Sequence, residues 1–358
     1  MRRSASVEID FNALKHNLSV VRQFSSNAKI VAVIKANAYG HGMLAVADYL
    51  MNSVDAFAVA CIQEAEYLRS KGVQVPLIIL QGFHSEDQLK QCFELNLEPV
   101  CHQHWQVDLL LQVKVSKSLS KSLKAWLKVD TGMHRLGISA GDAASVFQRL
   151  SNSNSIDSVY LMSHFANADQ PEHASNSQQL LAFNEIEKAL NIESSLANSA
   201  AILSMPDAVK NWVRPGIMLY GASPLSNKTA AELGLKPVMK LHSKVIAINS
   251  LNAGEAVGYG SLWSSDRDTQ IAVISVGYGD GYPRHAQAGT PVLIKNEICP
   301  LVGRVSMDMI TVDITDMRNP AVIGDSVELW GDTVAVDEVA KSASTIGYEL
   351  LCNAGKGL

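Results

Sequence analysis

The sequence predicts an α/β protein in which an N-terminal (β/α)8 barrel of the TIM type is followed by an all-β domain. Short apolar segments alternate with amphipathic helical stretches through the first two-thirds of the chain, giving eight candidate strands over about 200 residues. Beyond about Pro224 the alternation ends and β-branched segments predominate. Eight strands fit a (β/α)8 barrel. A doubly wound sheet, the alternative, more often stops at about five to seven strands.

The eight predicted strands share an apolar, β-branched composition and are followed by polar or turn-forming residues. They cover residues 29–34, 56–60, 77–80, 98–100, 125–129, 158–162, 194–197 and 211–213. The predicted helices between them include 45–51, 62–70, 142–150 and 177–190, whose apolar residues recur at helical spacing.

The rest of the chain is predicted to be a separate β domain. Segments such as TQIAVISVG, TPVLI and SVELW are separated by Gly, Asn and Asp, with little helical periodicity before the C-terminal stretch. We therefore predict a barrel domain over residues 10–224 and a β domain over 225–358. A candidate strand at 4–9 is expected to join the β domain.

Composition excludes several classes of protein. The 358 residues are 47% hydrophobic and 18% charged, with a net charge of -5, which gives no electrostatic basis for binding nucleic acid. A lysine series at Lys114, Lys117, Lys121 and Lys124 is interpreted as a solvated segment. No apolar run is long enough to span a membrane, and no apolar signal segment follows the first arginines, so we predict a cytoplasmic protein.

Metal and disulfide sites are not indicated. The five cysteines are odd in number and form no C-x-x-C pair. His102 and His104 flank Gln103 but have no further metal-binding partners nearby, so they are interpreted as surface histidines.

Several polar side chains follow the predicted barrel strands. The first strand ends at Lys35, where burial of an amine is costly unless it is paired, deprotonated or made covalent. Ser199 follows the seventh strand, and Arg214 and Gly216 follow the eighth. Barrels of this kind commonly bind phosphate beyond strands seven and eight. A hydroxyl, a cation and an open backbone N–H therefore predict an anion site there.

The fifth strand adds a second lysine. With a period of two, Lys128 points into the barrel, where it must be paired with a carboxylate such as that of Asp130, be neutral, or be chemically modified. Arg135 and His164 follow strands five and six at the same mouth. Together with the anion site, these groups fit pyridoxal phosphate held as a Schiff base.

A series of motifs resembles the alanine racemases, in that family's order, from about Ser4 to Cys352. They read VAVIKANAYGHG, LKVDTGMHRLG, SHFANAD, ANSAA, VRPGIMLYG, AVGYG, SVGYGDGYPR and LVGRVSMDM. The resemblance implies a cytoplasmic, pyridoxal-phosphate-dependent isomerase that interconverts L-alanine and D-alanine and supplies D-alanine for peptidoglycan.

The resemblance also implies roles for the residues at the barrel mouth. Lys35 would carry the cofactor and act as one of two acid/base groups. The phosphate would be bound by Tyr39, Ser199 and the backbone N–H groups of Gly216 and Ile217. His164 would lie against the cofactor ring, and Arg214 would donate to its nitrogen.

Further roles implied by the resemblance concern the substrate and a second subunit. Arg135 would face the substrate carboxylate, oriented by Lys128 in a carboxylated form, although pairing of Lys128 with Asp130 stays an alternative. Tyr259 of a partner subunit would be the second base. Tyr278 would line the entrance and Met307 would bind the substrate carboxylate. The family pattern thus implies a head-to-tail homodimer with composite sites.

Three alternatives stay open. One is a broad-specificity amino-acid racemase on the same scaffold, and another is a pyridoxal-phosphate-dependent decarboxylase. A non-enzymatic carrier of the cofactor is the third, and the β domain argues against it. The sequence departs from many relatives after Cys352, where NAGKGL replaces a segment containing Arg-Val-Pro, so a looser phosphate site or a wider entrance is expected.

Overall fold

The computed structural model describes residues 4–25, 27–113 and 122–355. In chain order, the elements up to residue 214 are β1 (Ser6–Ile9), α1 (Phe11–Ser25), β2 (Lys29–Val33), α2 (Lys35–Tyr39), α3 (Met43–Leu50), β3 (Ala56–Val59), α4 (Ile62–Ser70), β4 (Leu77–Ile79), α5 (Glu86–Glu94), β5 (Glu98–Cys101), α6 (His104–Gln112), β6 (Leu123–Asp130), β7 (Ile138–Ser139), α7 (Ala143–Ser151), β8 (Ile156–Met162), α8 (Ala174–Leu190), β9 (Ser194–Asn198), α9 (Ser199–Ser204) and β10 (Trp212–Arg214).

Eight of these strands close into a parallel barrel. The order is β5, β4, β3, β2, β10, β9, β8, β6, and β6 pairs with β5 to complete the ring, while the short β7 extends β6. The predicted fold class is therefore confirmed. Each predicted strand is found within two residues of its expected ends, because strands buried on both faces read as short apolar runs.

The second half of the chain is mostly antiparallel. Its elements are β11 (Met239–Leu251), β12 (Ala256–Val257), β13 (Trp263–Ser264), β14 (Thr269–Ile274), β15 (Pro291–Ile294), β16 (Glu297–Val302), β17 (Ile310–Asp313), β18 (Ser326–Trp330), α10 (Val336–Ser342) and α11 (Gly347–Asn353). The main sheet runs β1, β11, β14, β17, β16, β15, β18, and β18 also pairs with β11. β12 and β13 form a separate hairpin.

Among the contacts that join the halves of the molecule, two involve β1 and α11. β1 pairs antiparallel with β11, so the N-terminal segment belongs to the second sheet. α11 returns to the barrel mouth: a Cβ placed on Gly40, just after α2, would lie 2.1 Å from the Leu351 carbonyl oxygen. The domain boundaries at 10–224 and 225–358 stay predictions.

The predicted lysine series lies largely outside the described residues. Lys114, Lys117 and Lys121 fall there, and Lys124 is exposed in β6. Among the residues that the structure covers, no helix is long and apolar enough to cross a membrane.

Candidate active site

A cavity of about 540 Å³ opens at the carboxyl ends of the barrel strands. Nine of the residues predicted to form the site line it: Lys35, Tyr39, Lys128, Arg135, His164, Ser199, Arg214, Gly216 and Ile217. Asn198, which precedes Ser199 after the seventh predicted strand, also lines the cavity. The sequence did not single out Gln81 or Tyr348, and Cys352 was noted only as the end of the motif series. The barrel topology thus brings together groups that are up to about 180 residues apart in the sequence.

Lys35 lies just after β2, at the start of the turn that α2 forms. Burial lowers the pKa of its amine, and the nearby Arg135 guanidinium lowers it further. The Glu64 carboxylate fixes the adjoining backbone, since it accepts hydrogen bonds from the N–H groups of Ala36 at 2.8 Å and Ala60 at 2.7 Å. A lysine with a lowered pKa at a fixed position is suited to nucleophilic and acid/base chemistry.

The anion cradle is formed by Ser199, Gly216 and Tyr39. The Ser199 hydroxyl oxygen accepts from the Gly216 N–H at 2.8 Å, so its own hydrogen is available to a ligand. A Cβ on Gly216 would lie 2.6 Å from the Tyr39 hydroxyl oxygen, a clash that only glycine avoids. Glycine at this position therefore lets the phenol reach the cradle.

Arg214 is held rigidly in the barrel interior. Its guanidinium donates to the Ser195 hydroxyl at 2.6 Å and to the Ser163 carbonyl at 2.5 Å, and lies 3.4 Å from His164 Nδ1. Burial lowers the pKa of Arg214 to about 10, which leaves it charged at neutral pH. Burial, and then Arg214 and the other cations, hold the pKa of His164 well below its ordinary value, so the imidazole is neutral.

Lys128 points into the cavity, as the period of the strand predicts, but Asp130 does not pair with it. One Asp130 carboxylate oxygen accepts from the backbone N–H groups of the following loop, Gly132 at 2.9 Å, Met133 at 3.0 Å and His134 at 3.1 Å. The other lies 3.2 Å from the His134 ring. Burial and the surrounding cations Arg214, Arg135 and Lys35 lower the pKa of Lys128 to about 8.

The site has an excess of positive groups. Lys35, Lys128, Arg135 and Arg214 all face the cavity. Within the described ranges, no carboxylate oxygen lies within 4 Å of their charged nitrogen atoms. Uncompensated cations in a partly buried pocket favour an anionic ligand.

Three predicted site residues lie elsewhere in this chain. Tyr259, on the turn 259–261 between β12 and β13, is 70% exposed. Tyr278 and Met307 lie on adjoining loops, where the Gly279 N–H donates to the Met307 carbonyl at 2.9 Å, and both side chains are exposed. None of the three lines the Lys35 cavity of its own chain.

Two groups of neighbouring residues escaped the sequence reasoning. Tyr348 reaches the cavity because α11 packs on α2, and no local pattern in a short C-terminal helix signals such a contact. Two serines also hold Arg214: Ser163 directly follows β8, and Ser195 is the second residue of β9. For Ser195, the signal that could have indicated this role was a polar residue at a strand position that faces the barrel interior.

The interpretation of His102 as a surface histidine is wrong. Its ring is buried, and Nε2 lies 3.0 Å from the Gln81 carbonyl oxygen at the edge of the barrel mouth. His102 directly follows β5, whose four residues are all buried. No cluster of His, Cys, Asp and Glu that suits a metal ion occurs in the residues that the structure describes.

Comparisons with known proteins agree over nearly the whole chain. The family model "Alanine racemase, N-terminal domain" matches residues 9–224, and "Alanine racemase, C-terminal domain" matches 238–358. The alanine racemase of Thioalkalivibrio sulfidiphilus is 49% identical over 99% of this chain and 98% of its own length.

Solved structures give the same result. The biosynthetic alanine racemase of Pseudomonas aeruginosa matches with a TM-score of 0.95 and 41% identity, over 99% of this chain and 98% of that one. The Bartonella henselae alanine racemase, solved with covalently bound pyridoxal phosphate, matches with a TM-score of 0.89 and 31% identity, over 99% and 98%. With both family models covering nearly all of it, the chain belongs to the alanine racemase family of isomerases.

Proposed function

We propose that this protein interconverts L-alanine and D-alanine with pyridoxal phosphate, using Lys35 and Tyr259 of the partner subunit as two opposing acid/base groups. The observation that carries the proposal is the placement of Lys35 in one cavity with the anion cradle of Tyr39, Ser199 and Gly216. An amine and a phosphate site in one cavity suit a phosphorylated aldehyde cofactor.

The residues present fit that cofactor. Ser199 keeps a free hydroxyl hydrogen, the glycine at 216 admits the Tyr39 phenol, and four cations at the cavity have no carboxylate partner in the described ranges. Tyr39, Ser199, Gly216 and Ile217 would hold the phosphate, and Lys35 would bind the aldehyde carbon covalently. Tyr348 is a further candidate from the structure, because it lines the same cavity. The relative from Bartonella henselae binds this group covalently.

The cofactor, when bound, withdraws electrons from the substrate Cα and so acidifies its proton. Arg214 would donate to the ring nitrogen. Because a guanidinium does not give up its proton, Arg214 would keep that nitrogen unprotonated and so limit the electron withdrawal. His164, neutral beside Arg214, would pack against the ring. This arrangement favours returning the proton to Cα over competing reactions.

Racemisation requires a proton to leave one face of Cα and to be delivered to the other. Lys35 would exchange it on one face, helped by the lowered pKa of its amine. Tyr259 of the partner subunit would act on the other face. Arg135, and the Met307 N–H of the partner subunit, would hold the substrate carboxylate between them, with Tyr278 of the partner subunit at the entrance.

The proposal includes a head-to-tail homodimer, which the position of these groups supports. Tyr259, Tyr278 and Met307 are exposed and lie on loops of the β half, away from the cavity of their own chain. Leu262 and Met309 beside them are also exposed. Apolar and aromatic residues grouped on a surface are typical of an interface. The cytoplasmic location stays a prediction.

Lys128 is proposed to carry a carboxyl group on its amine. This modification would convert a buried cation into an anion beside Arg135 and Arg214, where burial and then three neighbouring cations lower the pKa of the amine. The anion would orient Arg135 through charge-assisted hydrogen bonds.

We propose D-alanine for peptidoglycan as the use of the product. The relative from Pseudomonas aeruginosa, 41% identical, is described as biosynthetic. Growth of a racemase-deficient bacterium on medium without D-alanine, restored by this gene and not by its Lys35→Ala variant, would test the assignment.

The activity itself is tested with the purified protein, pyridoxal phosphate and L-alanine in D2O. We expect deuterium at Cα and the formation of D-alanine. A protein that binds the cofactor but exchanges no proton contradicts the proposal and supports a carrier. Release of CO2 indicates a decarboxylase instead. Comparable rates with serine, lysine and arginine indicate a broad-specificity racemase.

Two variants test the roles of the bases. Lys35→Ala should abolish exchange from both enantiomers, because it removes the covalent anchor and one base. Tyr259→Phe should slow exchange from the two enantiomers unequally, since the phenol serves one face only. Equal and mild effects of the two changes would argue against the two-base assignment.

A further inference from the structure

The backbone after Lys35 adopts a left-handed helical turn. Ala36, Asn37, Ala38 and Tyr39 have φ values of 54°, 55°, 54° and 53°, and Gly40 follows with 84°. Residues with a Cβ seldom occupy this region, and a run of four is strongly disfavoured unless the surroundings impose it. Some group must therefore hold the turn.

His41 supplies that contact. Its Nδ1 atom lies 3.0 Å from the Ala38 carbonyl oxygen and 2.9 Å from the Tyr39 carbonyl oxygen. Two acceptors at this distance require that Nδ1 carry a hydrogen, so Nδ1 is the donor and Nε2 is the unprotonated nitrogen. Nε2 is buried and has no hydrogen-bond partner among the residues that the structure describes, and burial lowers the pKa of His41 to about 4. The ring is neutral and its tautomer is fixed.

The His41 ring also connects the turn to the barrel. It packs on the Tyr220 ring with centroids 4.5 Å apart, and Tyr220 in turn packs on Tyr39 at 4.9 Å. The Tyr220 hydroxyl donates to the Val33 carbonyl at 2.9 Å, which ties the stack to β2. His41 thus bonds to the Tyr39 backbone and supports its side chain through Tyr220.

We propose that His41 is a positioning residue, whose Nδ1–H holds the left-handed turn so that the Tyr39 hydroxyl reaches the phosphate cradle beside Gly216. The proposal deepens the proposed function and rests on it. His41 does not line the cavity. Its effect is exerted on Tyr39, and through Tyr39 on the phosphate of the cofactor.

The test compares pyridoxal phosphate with pyridoxal, which lacks the phosphate. Dissociation constants are measured by dialysis and by the absorbance of the bound cofactor, for the wild type, His41→Leu and His41→Asn. We expect His41→Leu to weaken binding of pyridoxal phosphate about tenfold, because the charge-assisted hydrogen bond from the Tyr39 hydroxyl to the phosphate is lost. Binding of pyridoxal, which has no phosphate, should be nearly unchanged. His41→Asn should bind like the wild type, since its amide nitrogen replaces Nδ1 as donor.

A double-mutant cycle with Tyr39→Phe isolates the mechanism. Because both changes remove the same phenol contact, His41→Leu should weaken binding little further in the Tyr39→Phe background. Val146→Ala, a truncation of a buried residue in α7 away from the cavity, is the control for general loss of stability. It should lower the melting temperature without changing the ratio of the two dissociation constants.

The outcomes separate the two proposals. A wild type that binds both ligands equally contradicts the cofactor assignment, and the role of His41 falls with it. A wild type that prefers pyridoxal phosphate, together with a His41→Leu variant that keeps the full preference, overturns the role of His41 alone. Equal weakening of both ligands, or failure of His41→Asn to restore binding, also overturns it.

Discussion

At the scale of single residues, the environment of Lys128 shows how burial and neighbouring cations alter the pKa of a side chain in this site. Its pKa is lowered to about 8, first by burial and then by Arg214, Arg135 and Lys35. At pH 7 about one-tenth of such an amine is neutral, whereas an unperturbed lysine is about 0.03% neutral. Only the neutral amine reacts with CO2, so the pocket raises the reactive fraction by on the order of a hundredfold.

We predict a carbamate on Lys128 that depends on pH in a defined direction. With dissolved CO2 held constant, occupancy should fall as the pH drops below about 8, because the amine becomes protonated. A ¹³C resonance of the carbamate, from protein equilibrated with ¹³C-bicarbonate, is the measurement. It should vanish in Lys128→Ala and persist in the control Lys124→Ala, whose side chain is exposed. A resonance unchanged in Lys128→Ala would contradict the assignment.

At the scale of elements, the floor of the barrel contains a buried acidic group that joins β5 to β6. The Trp126 indole N–H donates to a Glu98 carboxylate oxygen at 2.9 Å, and the Glu98 side chain is buried. Burial raises the pKa of Glu98, although Trp126, Lys124 and Arg69 oppose this. A carboxyl group with a raised pKa in the folded state is charged there at a cost.

We predict that Glu98→Gln stabilises the protein at neutral pH by about 1 kcal/mol. The folded state binds the Glu98 proton more tightly than the unfolded state, so the free energy of unfolding of the wild type falls as pH rises through the folded pKa. The amide keeps an acceptor for Trp126 without a charge. Arg69 stays satisfied by carbonyl groups, among them that of Leu95 at 2.9 Å.

Denaturant unfolding at several pH values measures this effect. The advantage of Glu98→Gln over the wild type should disappear at low pH, where Glu98 is protonated in both states. Glu193→Gln is the contrasting variant, because hydrogen bonds from Lys29 and Trp212 lower the pKa of that carboxyl. It should not stabilise the protein at neutral pH. A destabilised Glu98→Gln variant would show that Glu98 is needed as a charged partner.

At the scale of the whole molecule, the cavity and its proposed second base lie on different parts of the chain. Lys35 follows the first barrel strand, whereas Tyr259 is carried by the β12–β13 hairpin and is 70% exposed. If the sites are composite, each needs Lys35 from one subunit and Tyr259 of the partner subunit.

Subunit mixing tests this arrangement. Lys35→Ala and Tyr259→Phe homodimers should each be inactive or strongly impaired. Unfolding and refolding them together in equal amounts should restore about a quarter of wild-type activity, because half of the dimers are mixed and each holds one intact site. Mixing Lys35→Ala with the double variant should restore nothing. No recovery from the first mixture, with dimers confirmed by light scattering, would contradict composite sites.

The sequence by itself determined the eight strands, the change to a β region and seven of the nine predicted cavity residues, because these depend on local apolar patterns and on the rule that parallel strands present their carboxyl ends at one mouth. The resemblance to the alanine racemases added Tyr39 and Ile217. Specific motifs added the family. Other features were decided by tertiary packing. Asp130 turns to its own loop, Tyr348 is delivered by α11, and His41 holds a left-handed turn. Each depends on contacts between segments whose relative position only the folded chain creates, and no local period encodes such contacts.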